Sequence, residues 1–158
     1  MPDGVEAEEI AARQGAMAAC AEAHASELAA ALDRLSPVPE PRELRPVETG
    51  LAMLRGRAGG DGAAFNLGEA TVTRAAVTLD LGEGASSPVG FAYHLGRDPQ
   101  KARHAAILDA LWQVPGRRPS VEEALGPVRD RIAAERALAA RRAAATRVNF
   151  FTLVRGED

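Results

Sequence analysis

The side chains able to do acid–base or ligand chemistry are few. The chain has 3 His and 1 Cys among 158 residues. His94 and His104 flank the stretch "GRD", where a β-type run meets a helical one. With Asp98 they would supply proton-transfer groups to a stand-alone enzyme, since imidazole titrates near neutrality. A histidine that merely packs is the commoner arrangement. Cys20 and His24 stand four apart, which on one helix places both on one face as a ligand pair. No third ligand follows at a metal-site spacing, so a packed thiol and a hydrogen-bonded imidazole account for the pair, and no metal is expected. The Gly-rich stretch "GRAGGDG" (56–62) could form a backbone nest for phosphate. It lacks the Lys-Ser/Thr ending of a P-loop and reads better as a hairpin loop. Arg74 within a strand and Arg97 before a helix N-terminus have the planar fork suited to phosphate or carboxylate. No Ser/His/Asp order, paired carboxylates or HExxH stretch is present. The residues alone therefore declare no active site, and a non-catalytic nucleotide- or phosphate-sensing module is a further reading.

These residues need elements to hold them. The apolar recurrence Ile10, Met17, Ala21, His24, Leu28, Leu35 predicts one long helix over about 6–35. "SPVPEP" (36–41) stops it and reads as a linker. From 43 to 95 the pattern alternates. "RPVETGLAMLRGRA" reads as two extended pieces pivoting at Gly50. Thr73, Ala75, Val77 and Leu79 share one face of a strand, and Phe91, Tyr93 and Leu95 share one face of another. Gly-rich segments separate these runs, which predicts an antiparallel meander with one face covered. Asp98 is a good N-cap, and Pro99 fits the first helical position. Helices are expected over about 98–145, with Ser120 and Glu123 as a capping box before Gly126-Pro127. "RVNFFTLV" predicts a terminal strand over about 147–154, with Phe150 and Phe151 on opposite faces. One domain over 1–158 is expected, of α+β class: an antiparallel β-sheet with a long N-terminal helix and C-terminal helices packed on it.

The totals bound function as well. Aromatics make up 4%, so a core of Ala, Leu and Val relies on a few large anchors. Net charge is −3, which argues against general nucleic-acid binding. Acidic residues crowd the first 35 positions and arginines the last third, an asymmetry suited to meeting each other or a partner. A single cysteine allows no internal disulfide, and no apolar run approaches a membrane span. The N-terminus lacks the basic and apolar segments of a secretory signal. Cytoplasmic location is expected.

Three stretches also resemble a known family. "RPVETGLAMLRGRAGGDGAAFNLGEATVTRAAVTL", "GFAYHLGRDPQKARHAAILDAL" and "TRVNFFTLVRGE" are similar, in order and spacing, to the PhnG family. Members of that family are components of the bacterial carbon–phosphorus lyase system, which serves phosphonate utilisation. The resemblance covers about residue 44 onward, the first helix fits in position and length, and a short acidic extension precedes it. It implies action with subunits H, I and L in transferring the ribose triphosphate moiety of MgATP to an alkylphosphonate, with release of adenine. It further implies a two-fold symmetric core in which two copies of this chain assemble with subunits H, I and J, joined by the ATP-binding-cassette-like K and L. MgATP would be a substrate of the complex, with no cofactor bound by this chain. No catalytic residue carries over. By position, Glu48, Thr49, Arg74, Arg97, Asp98 and Arg155 become candidates for ligand or partner contact. Phe150 and Phe151 become candidates for an interface, since a subunit shows apolar surface in excess of its own needs.

Overall fold

The computed structural model describes residues 4–82 and 86–146 of the protein. The elements are α1 (Gly4–Glu22), α2 (Ala25–Arg34), β1 (Pro41–Arg57), β2 (Ala64–Leu79), β3 (Val89–Leu95), α3 (Pro99–Trp112), α4 (Arg118–Ala124) and α5 (Gly126–Ala145). The strands form an antiparallel meander in the order β1-β2-β3. The helices pack on one face, α3 directly on β2 and β3. This is the expected α+β class. The terminal run 147–154, with Phe150 and Phe151, lies outside the described residues, as does Arg155.

The core forms where α3 lies across the sheet. Leu79, Leu108, Leu111, Trp112, Leu28 and Leu125 are buried completely or nearly so. In register, Thr73 faces His94, Ala75 faces Ala92, and Val77 faces Gly90. This inner set is buried under α3. Phe91, Tyr93 and Leu95 do share a face, but it is the outer one, and Leu95 is 70% exposed. The reason is steric. A Cβ on Gly90 would stand 1.9 Å from the Ala106 carbonyl oxygen and 2.6 Å from the Ala110 nitrogen. Helix and strand approach so closely that β3 turns its large side chains outward.

A single helix over 6–35 does not form. The chain breaks at Ala23 and His24, where His24 takes an extended conformation (φ −77°, ψ 152°). Glu27 accepts the His24 N–H at 2.7 Å, satisfying a donor at the start of α2. The same carboxylate receives Arg131 Nε at 2.7 Å and Nη2 at 2.9 Å. Arg131 also donates to the Glu22 carbonyl oxygen at the end of α1, at 3.1 Å. A residue of α5 thus holds both sides of the break.

Two smaller expectations also change. Gly50 is no pivot, because it pairs with Val72 in regular register. The irregularities of β1 fall between Glu43 and Glu48, around Pro46, and between Leu54 and Arg55. Proline has no amide to give the ladder. Ser120 caps nothing, since α4 starts at Arg118 with Pro119 in its first turn. Arg117, just before it, donates to the carbonyl oxygens of Leu35 and Pro37 at 3.0 and 3.2 Å and so ties down the linker.

Candidate functional site

The sheet brings together three of the contact candidates, Glu48, Thr49 and Arg74, and the turn after β3 holds Arg97 and Asp98. Residues paired across an antiparallel ladder share a face. Glu48 pairs with Arg74, which pairs with Tyr93, making one row on the outer face. Arg74 Nε lies 2.8 Å and Nη2 2.6 Å from Glu48 Oε2. That bond, with a smaller contribution from Tyr93, raises the Arg74 pKa. The next row is on the inner face. Thr49 Oγ1 lies 3.0 Å from Thr73 Oγ1, and the buried Thr73 hydroxyl donates to the Gly96 carbonyl oxygen at 2.6 Å. The "ET" and "TR" pairs are therefore two adjacent rungs, one facing out and one facing in.

The GRD turn is built on that inner rung. Gly96 has φ 102°, a left-handed conformation that favours glycine. Its N–H donates to the Thr71 carbonyl oxygen at 2.9 Å. Both ring nitrogens of buried His94 face carbonyl oxygens, Nδ1 at 2.8 Å from Leu95 and Nε2 at 2.9 Å from Asp98. Asp98 caps α3 by accepting the Lys101 N–H at 2.8 Å. Lys101 Nζ reaches back to the Ala21 carbonyl oxygen at 2.7 Å, and burial lowers its pKa. Arg97 projects from this turn and makes no ion pair among the described residues.

The expected acid–base trio does not converge. His94 and Asp98 share the turn. His104 lies elsewhere, in a groove with Asp33, Gln100 and Arg103. Burial, then the Arg103 charge, lowers the His104 pKa, and its Nδ1 is buried without a partner. Nor do Cys20 and His24 share a helix, because His24 sits in the break. The Cys20 thiol is buried and pushed up to about 12, chiefly by burial and then by Asp109. "GRAGGDG" ends β1 and continues into the β1–β2 loop, closed by Arg57 Nη1 donating to the Gly62 carbonyl oxygen at 3.0 Å.

A part-buried ion pair beside β3 went unsignalled in the sequence. Asp109 of α3 is 1% exposed and accepts Arg13 Nε at 2.8 Å and Nη2 at 2.7 Å. It also accepts the Phe91 N–H at 2.8 Å. A cavity of about 430 Å³ opens there, lined by Ile10, Met17, Cys20, Phe91 and Tyr93 as well as the pair. An acid inside the apolar run "AAILDALW" was the only local hint.

This geometry sits within a wider likeness. The family model described as "Phosphonate metabolism protein PhnG" matches residues 11–156. The chain belongs to the PhnG family. The match begins within α1 and takes in the strands and the later helices, so much of the first helix is part of the family pattern. A Rhizobium meliloti (strain 1021) protein is 48% identical over 149 residues, 94% of this chain and 92% of its own length. That relative is named alpha-D-ribose 1-methylphosphonate 5-triphosphate synthase subunit PhnG. In this chain, the outer Glu48–Arg74–Tyr93 row and the Arg97 turn are exposed polar features.

Proposed function

We propose that this chain is the PhnG component of a synthase that transfers the ribose triphosphate moiety of MgATP to an alkylphosphonate. A phosphonate oxygen bonds to the anomeric carbon as the bond to adenine breaks, and adenine leaves protonated. The chain orders partner subunits and does not own the reacting groups. It works with subunits H, I and L; the core holds two copies of this chain with subunits H, I and J, and K and L join it. MgATP is the complex's substrate, not a cofactor of this chain. The observation that carries this reading is the 48% identity, over nearly the whole chain, to a subunit named for that synthase. The state of the chemical groups supports the organising role. Both ring nitrogens of His94 face backbone carbonyls, Asp98 caps a helix, Glu48 holds Arg74, and Cys20 is an inert buried thiol.

Within this role Arg97 is the contact for an anionic ligand or a partner carboxylate, since no acid among the described residues engages it. Reconstitution with subunits H, I and L, MgATP and methylphosphonate tests the reading. Adenine release and product formation should require this chain. Equal product without it overturns the subunit role. Arg97→Ala should lower turnover by about tenfold, the worth of one charge-assisted contact, with assembly unchanged. Full activity in that variant removes Arg97 from the site.

A further inference from the structure

The free edge of β1 differs from the free edge of β3. Exposed strand edges in native proteins are blunted by proline, charge, bulges or cover. β3 is blunted: Asp109 takes the Phe91 N–H, and the His94 ring covers the Leu95 carbonyl oxygen, with Nδ1 at 2.8 Å. β1 is blunted only at its ends. Pro46 and irregular register protect its start, and Arg55 and Arg57 follow its apolar part. Between them "TGLAML" (49–54) carries no charge, no proline and no bulge. Seven consecutive pairs, from Glu48↔Arg74 to Leu54↔Gly68, keep it straight.

Its backbone groups are available. The Thr71 carbonyl oxygen accepts from Gly96, so odd-numbered residues of this part of β2 turn toward β3. Even-numbered ones then face β1 and exchange bonds with Glu48, Gly50 and Ala52. Thr49, Leu51 and Met53 turn their N–H and C=O groups outward. The side chains of Leu51 and Met53 are exposed too, at 63% and 51%.

Charge decides the occupant. β1 carries four arginines, Arg42, Arg45, Arg55 and Arg57, and none meets a carboxylate among the described residues. Its two acids, Glu43 and Glu48, are both paired, with Arg103 and Arg74. Glu69, opposite Met53 on β2, is also without a cation partner among the described residues. A second copy fits poorly. Antiparallel pairing of two such edges about Leu51 sets Arg45 against Arg57 of the other copy, and pairing about Gly50 sets it against Arg55.

We infer that the β1 edge from Thr49 to Leu54 seats an extended segment of a different subunit, apolar in its middle and carboxylate-bearing at its ends. The added strand completes the ladder at Thr49, Leu51 and Met53, and its carboxylates meet Arg45 and Arg55. This deepens the subunit reading above and rests on it.

The test co-expresses the tagged full chain with subunits H, I and L and measures partner stoichiometry after purification. Leu51→Pro removes an outward N–H that β2 does not use, so the chain's own sheet keeps its bonds. The double variant R45E/R55E changes exposed side chains only and decides the matter if Leu51→Pro fails to fold. Both should retain at least about tenfold less partner, as loss of a central contact does, with circular dichroism and melting temperature near wild type. A folded variant carrying partner at wild-type stoichiometry overturns the edge. If wild type is needed for adenine release while the variants assemble and work normally, the subunit reading stands and this inference alone fails. If wild type binds no subunit, both fail. If the isolated chain is a dimer that Leu51→Pro dissociates, the occupant is a second copy and the inference is wrong.

Discussion

At the scale of single residues, the charged groups that matter for stability sit where elements meet. Asp109 ties α1, through Arg13, to the backbone of β3. Glu27 joins α2 to α5 through Arg131, and Glu122 joins the Trp112 indole N–H to Arg129. Arg131 holds the Glu27 carboxyl below its ordinary value. Burial pushes Glu122 up, but Arg129 and Trp112 outweigh it and its pKa is lowered too. Burial lowers His104. All three shifts have one sign in linkage. A carboxylate with a lowered folded pKa stabilises above its unfolded value and loses that contribution as pH falls through the folded one. A lowered histidine binds its proton more readily unfolded, so stability declines below the ordinary imidazole value of about 6.5. Denaturant midpoints should therefore fall in two stages on acidification. The first begins near pH 6.5 and the second below about pH 4.5, where ordinary carboxylates titrate. His104→Leu should reduce the first stage and leave the second, since it removes a buried nitrogen without a partner. A first stage unchanged in that variant assigns it to other groups.

At the scale of elements, legibility in the sequence followed the range of the cause. Asp98-Pro99 specifies the start of α3 within a few residues, and α3 begins there. Alternation around Thr73, Ala75 and Val77 identified the inner face of β2, although Ala76 and Thr78 on the other face are buried as well. The same alternation on β3 did not say which side was inner. Aromatic residues suggest the core, but the decision belongs to the contact of Gly90 with Ala106 and Ala110, about 16 to 20 positions downstream. The break at His24 was illegible for a similar reason. "AACAEAHASELAAA" favours helix throughout, and the arginine that holds the break lies 104 positions from Glu27. Arg13 and Asp109 are 96 apart, so the acid in "AAILDALW" hinted at a buried group but could not name its partner. Among the site candidates, "ET" and "TR" were legible as strand residues, but their pairing into rungs required the register. The β3–α3 approach makes a direct prediction. Gly90→Ala places a methyl against helix backbone, which cannot yield as a side-chain tip can. It should destabilise the fold by about 3 kcal/mol, read from chemical denaturation at constant m-value. A loss below about 1 kcal/mol, within ordinary surface substitution effects, would show that helix and strand are not packed this closely.

At the scale of the whole molecule, the sheet is uneven in support. β3 pairs with β2 from Val72 to Thr78 only. From Ala64 to Thr71, β2 has β1 as its sole strand neighbour among the described residues, and the two continue as a ribbon. Nine of the eleven large apolar side chains exposed among the described residues lie on the three strands, with Ile10 and Leu138 the others. Leu51, Met53, Leu54, Phe65 and Leu67 cluster on the ribbon. A two-stranded ribbon without a covered apolar face is marginal in water. Hydrogen exchange can read this with an internal control. Gly68, Ala70 and Arg74 all turn their amides toward β1, but only Arg74 has a third strand beside it. In the isolated chain Gly68 and Ala70 should exchange at least about a hundredfold faster than Arg74, as low-stability segments do. In complex with subunits H, I and L their protection should rise toward that of Arg74, because a partner on β1 gives the ribbon the support the monomer lacks. Uniform protection along β2 in the isolated chain would show that the ribbon is stable by itself. Fast exchange that persists in the complex would place the partner elsewhere.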